Sequence, residues 1–247
     1  MPTTQLAGET LESKSLWFQY KTKIWPEESP RRDVVHNVMR VLRSIGGLRG
    51  LTYVSVPITT GPAFYEYYRF CRDEKDRESL LEKAISMNYN TGREFADRLT
   101  ERCAHPVIFP ANFEPAHQEW EQPHFQALWL EIIAEMCTEV HMGKGWNLSN
   151  GCVEEFIHVM QLRLGIPHHG FLFFYNTKHS EAEERERMRS IKVYDYSGQE
   201  ISIEYGLHII TNSIAWLNRN RCPSERMESA LELLKWTDRM IRQGFYQ

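Results

Sequence analysis

Apolar positions along this chain recur with a helical period in some stretches and with a strand-like density in others. Val34, Val38, Val41, Leu42 and Ile45 are spaced as one helical face and are closed by Gly46-Gly47, which predicts a helix over 33–45. Leu51 to Val56 is a short apolar, β-branched and aromatic run, which predicts a buried strand, with Pro57 to Pro62 as the loop after it. The same reading gives strands at 105–109, 136–142, 171–175 and 191–194. Helices are predicted at 78–101, with an interruption near Asn88 to Gly92, and at 125–135, 154–164, 203–218 and 224–243. The N-terminal stretch is polar up to Leu16, and 178–189 is a mixed-charge run that reads as a solvated helix or a mobile lid. Alternating strands and helices predict an α/β fold, a mostly parallel five-stranded sheet with helices on both faces.

Composition narrows the class of protein. A chain of 247 residues with 42% hydrophobic positions can bury a sizeable core. Its net charge of −4 gives no reason to expect a nucleic-acid polymer as partner. No apolar run approaches the roughly 20 residues that span a bilayer, so no membrane partner is expected. Residues 1–13 lack a basic segment followed by an apolar one, so no signal peptide is expected. Five scattered cysteines, with no Cys-x-x-Cys pair, fit reduced thiols and a cytoplasmic location.

The stretch Gly145-Trp146-Asn147-Leu148-Ser149-Asn150-Gly151-Cys152-Val153-Glu154-Glu155 carries the candidate chemistry. It reads as a small-residue turn between the 136–142 strand and the helix that stops at Gly165. Ser149 stands where an N-cap belongs, and the backbone N–H groups after it can cradle an anion. Glu155 follows within the first turns of that helix. In α/β sheets of this kind ligands gather at the carboxyl ends of strands, and the loops at 57–62 and 143–151 both follow predicted strands.

Taken in order, the first strand with Pro57-Ile58-Thr59-Thr60-Gly61, then Val107-Ile108-Phe109-Pro110-Ala111-Asn112, then Gly145-Trp146-x-x-Ser149-x-Gly151-x-x-x-Glu155 resembles the nucleoside 2-deoxyribosyltransferase-like superfamily. That group includes deoxyribosyltransferases and nucleotide N-glycoside hydrolases. The resemblance covers roughly 51–165 and implies a flavodoxin-like five-stranded core. It makes 51–200 the core, 1–50 an N-terminal extension packing on it, and 201–247 a C-terminal helical extension. It also implies that Glu155 is the nucleophile at the anomeric carbon, that Ser149 contacts phosphate or sugar, and that Thr59, Thr60 and Gly61 line the pocket. Asn150, Gly151, Trp146 and Asn112 complete the candidate substrate-binding set.

Breaking an N-glycosidic bond develops oxocarbenium character, which a carboxylate stabilises or traps. The departing base also needs a proton. The superfamily commonly supplies an aspartate for this from the helix before the third strand. This chain departs from that pattern: Trp129 stands roughly in that place, and Glu131 is the candidate acid, with His124 also close in sequence. The resemblance further implies a small-molecule nucleoside or nucleotide as ligand, no cofactor, and a homodimer or higher homo-oligomer. The expected function is an N-glycosidase; a deoxyribosyltransferase and a non-catalytic nucleotide-binding module are the alternatives.

Other patterns carry less. Glu-x-x-His occurs at Glu114–His117, Glu121–His124 and Glu155–His158, but proline interrupts the first two and the fold pattern is not a four-helix bundle. His168 and His169 are neighbours, which point apart in a strand. No metal site is expected. The Gly-rich loops of P-loop NTPases and dinucleotide enzymes are missing, as is a Gly-x-Ser-x-Gly elbow.

Overall fold

The computed structural model describes residues 37–42, 44, 50–71, 74–112, 121–165 and 181–244. Among these residues four strands form one parallel sheet: β1 (Leu51–Ser55), β2 (Val107–Ile108), β3 (Cys137–Met142) and β4 (Lys192–Tyr194), in the order β2-β1-β3-β4. The register pairs Tyr53 with Ile108 and Val140, and Val140 with Val193. These four apolar side chains therefore share one face, and all four belong to the main core. The opposite face carries Thr52, Val54, Val107, Glu139 and His141. There Val54 packs with Phe95, Ala96 and Leu99 in a second cluster.

Among the described residues, eight α-helices connect or flank these strands: α1 (residues 37–42), α2 (Pro62–Tyr68), α3 (Glu74–Thr100), α4 (Gln122–Met136), α5 (Asn150–Arg163), α6 (Glu181–Arg189), α7 (Ile203–Arg219) and α8 (Glu225–Arg242). None among the described residues is long and apolar enough to cross a membrane. The α/β class and the parallel pairing agree with the expectation, and four of the five expected strands are among the described residues. The predicted strand at 171–175 lies outside the described residues, and the place beside β3 is taken by 192–194.

Several boundaries move for identifiable reasons. The interruption expected near Asn88 to Gly92 is absent, and α3 runs unbroken. Asn88 instead donates through Nδ2 to the carbonyls of Ile58 and Thr60, tying α3 to the loop after β1. Gly92 allows the close approach, since a Cβ there would stand 2.7 Å from the Val56 side chain. Helix α4 starts at Gln122, ahead of the expected Phe125, because Pro123 suits a first helical turn and Glu121 with His124 forms a capping box. The Glu121 N–H donates to His124 Nδ1. In α1, Met39 is buried where Val41 was expected, and Val41 is exposed. The mixed-charge run supplies α6, whose Arg187 reaches back to the carbonyls of Ala134 and Cys137 at the end of α4.

Candidate active site

Strand order reverses between β1 and β3, since the chain runs outward to β2 from one and to β4 from the other. At such a point the loops leaving the two strands diverge and open a crevice beyond their carboxyl ends. The crevice here is a cavity of about 370 Å³, within the range of small-molecule sites. Thr59 and Thr60 enter it from the loop after β1, and Ser149, Asn150 and Gly151 from the start of α5. Thr60 Oγ1 donates to Ser149 Oγ at 3.3 Å, joining the two loops.

Glu155 sits on the first turns of α5 and faces this cavity at 6% exposure. Its carboxylate is held on both oxygens by one strand. Tyr53 Oη donates to Oε1 at 2.8 Å, and Ser55 Oγ donates to Oε2 at 2.6 Å. Tyr53 and Ser55 are two apart in β1, so both project from the same face toward the helix. Burial pushes the Glu155 carboxyl up to about 7. The Ser55, Tyr53 and Gln126 hydrogen bonds pull it down, and the neighbouring Glu154 charge pushes it further up.

Glu154 points to a different partner. Its two oxygens accept from Arg226 Nε and Nη2 of α8, each at 2.7 Å, in a bidentate pair. Arg226 also reaches the cavity wall. Aromatic side chains Tyr89, Phe109, Phe125 and Trp129 also line the cavity. Gln126 lies between, and its Nε2 donates to the Gly151 carbonyl at 3.2 Å. Cys152 also faces the cavity, but burial, reinforced by Glu155, pushes its thiol up to about 12, so it is no thiolate nucleophile at neutral pH.

Of the residues singled out in the sequence, the structure gathers Glu155, Ser149, Asn150, Gly151, Thr59 and Thr60 around one cavity. Four others fall elsewhere. Trp146 is core, buried at 4% with its ring 5.1 Å from that of Phe156. Gly61 is the N-cap of α2 at φ 113°. Asn112 does not line the cavity, and its Oδ1 accepts from Tyr89 Oη at 3.0 Å. Glu131 is buried on α4 but does not line the cavity. Two residues along a helix is a turn of about 200°, so Trp129 facing the cavity carries Glu131 away from it. The candidate acid is therefore displaced from the nucleophile candidate.

Ser149 is the N-cap of α5 by backbone, yet its side chain makes no capping bond. The hydroxyl faces Thr60 instead. Sequence reading missed Tyr53, Ser55, Gln126 and Arg226. The first two carried a signal, as polar atoms two apart in a strand entering the site loop. Arg226 carried none, because it comes from α8. Compared with protein-family models, curated proteins and solved structures, the chain has no significant match to any.

Proposed function

We propose that this protein is an N-glycosidase that cleaves the base–sugar bond of a nucleoside or nucleoside 5′-monophosphate, with Glu155 as nucleophile. The observation that carries this reading is the Glu155 carboxylate, buried, oriented by two hydroxyls and turned into an aromatic-walled cavity at the strand-order reversal. A flat base fits between aromatic walls, and stacking there favours it in a sequence-tolerant way. The carboxylate then stands where positive charge grows at the anomeric carbon. In the reaction, the C1′–N bond breaks as a C1′–O bond to Glu155 forms. Water next attacks C1′ of the ester and restores the carboxylate, and the proton that the water loses balances the one that the departing base takes up. If a second base attacks instead, the same site is a transferase. The four-stranded order is compatible with a flavodoxin-like core, as the superfamily resemblance implies.

The departing base must collect its proton from another source than Glu131. Among the described residues, Glu155 is the one carboxylic acid on the cavity wall. That observation favours a second reading, a nucleotide-binding module without turnover. The resemblance also implies a homo-oligomer, in which a second copy of the chain completes the site. Incubation with a panel of nucleosides and 5′-monophosphates, followed by chromatography for free base, separates the readings. Release by the wild type and loss in Glu155→Gln support the glycosidase. Binding of a nucleotide without release supports the module, and release that survives in Glu155→Gln removes Glu155 from its role.

A further inference from the structure

On the opposite face of the sheet from Glu155, three side chains of different chemistry converge. Cys103 follows the end of α3, with its N–H bonded to the Leu99 carbonyl at 2.8 Å. Glu139 and His141 are two apart in β3 and share the face covered by α3. One ligand atom from each lies within 4.8 Å of the others. We propose that Cys103, Glu139 and His141 bind one zinc-like divalent cation, with water completing the coordination shell.

The arrangement has the features of a prepared site. Thr52 Oγ1 donates to Glu139 Oε1 at 2.6 Å, which fixes the carboxylate and turns Oε2 toward His141. The His141 ring stacks on Tyr194, with centroids 4.9 Å apart, which fixes the imidazole plane. His141 Nε2 is buried and has no hydrogen-bond partner among the described residues. Its separation from Glu139 Oε2 is 3.6 Å, too long for a hydrogen bond. That spacing is close to the edge of a tetrahedron around zinc, about 3.4 Å for ligands at about 2.1 Å. A buried nitrogen aimed at a carboxylate across such a gap is what a bridging cation satisfies.

The donor set chooses among cations. Thiolate and imidazole favour zinc or cobalt over magnesium and calcium, which take oxygen ligands. The site joins the turn after α3 to the middle of the sheet, so its role is to pin that turn, independently of the chemistry at Glu155. Sequence offered little sign of it, because Cys103 is far from Glu139-x-His141 along the chain.

Cobalt titration of the full chain, after treatment with a chelator, tests the proposal. The expected spectrum has a thiolate-to-cobalt charge-transfer band in the near ultraviolet and the strong visible bands of tetrahedral cobalt, saturating near one ion per chain and abolished by zinc. Cys103→Ser removes the charge-transfer band while far-ultraviolet circular dichroism stays that of the wild type. His141→Gln keeps that band and weakens binding by about tenfold or more. Should Cys103→Ser fail to fold, His141→Gln decides alone. Pale six-coordinate absorption only, a charge-transfer band that survives Cys103→Ser, or unchanged affinity in His141→Gln overturns the site.

Discussion

Glu155 is a carboxyl whose burial works against ionisation while two hydroxyls work for it. Its pKa of about 7 in the folded chain lies above the ordinary 4.5. The folded state therefore holds this proton more tightly than the unfolded state does. The resulting stabilisation is full below about pH 4.5 and is lost as pH rises to about 7. We expect the stability of the wild type, measured against Glu155→Gln by denaturant titration, to fall by roughly 3 kcal/mol between pH 4.5 and 8. A flat difference across that range means that Glu155 is not held as described. For the glycosidase proposed above the sign is opposite, because its attacking form is the carboxylate, so kcat/KM for base release is expected to rise with a midpoint near 7. Tyr53→Phe removes a bond that pulls the pKa down. A hydrogen bond to a charged group contributes about 1.5–3 kcal/mol, so the midpoint should move up by about one to two pH units. A midpoint that stays put or moves down in Tyr53→Phe contradicts the assigned hydrogen bond.

The element that presents Glu155 is α5 with the turn before it, and its position depends on contacts from both ends. Gly145 has φ 78°, and a Cβ there would stand 2.3 Å from the Pro62 ring. Gly145→Ala meets both the backbone penalty and the collision, so a loss of at least about 2 kcal/mol is expected in thermal or denaturant unfolding. Asn147 Nδ2 donates to Ser213 Oγ of α7 at 2.7 Å, fixing the same turn from outside the sheet. At the start of α5, the pair between Glu154 and Arg226 holds the helix to α8. Arg226→Ala leaves the Glu154 carboxylate buried without its cation. The expected cost is roughly 2–3 kcal/mol, below that of a fully buried pair because the Arg226 side chain is 44% exposed. An unchanged unfolding midpoint in Arg226→Ala contradicts that assignment.

Across the whole molecule, the elements with strong local signals were legible from sequence. β1, β3, α7 and α8 fall within about two residues of expectation, because apolar period and flanking glycine or serine mark them. Asn88 to Gly92 read as a break because both residues disfavour a helix interior locally, yet tertiary contacts with the β1 loop and Val56 decide the matter. The loops that line the cavity were legible for a similar local reason, since small polar residues after strands mark turns at the carboxyl edge of the sheet. Glu131 was misplaced because proximity in sequence does not give azimuth around a helix, and Arg226 was invisible because only tertiary structure brings α8 to the cavity. The cluster of Cys103, Glu139 and His141 lay hidden for that same reason. The central claim, a carboxylate nucleophile at Glu155, is tested most directly by mass spectrometry of the protein incubated with a 2′-fluorinated arabinonucleoside, whose glycosyl ester hydrolyses slowly. With Glu155 as nucleophile, the peptide that holds it gains the mass of the glycosyl group, and Glu155→Gln does not. Free base released with the label on another residue, or released equally by Glu155→Gln, contradicts it.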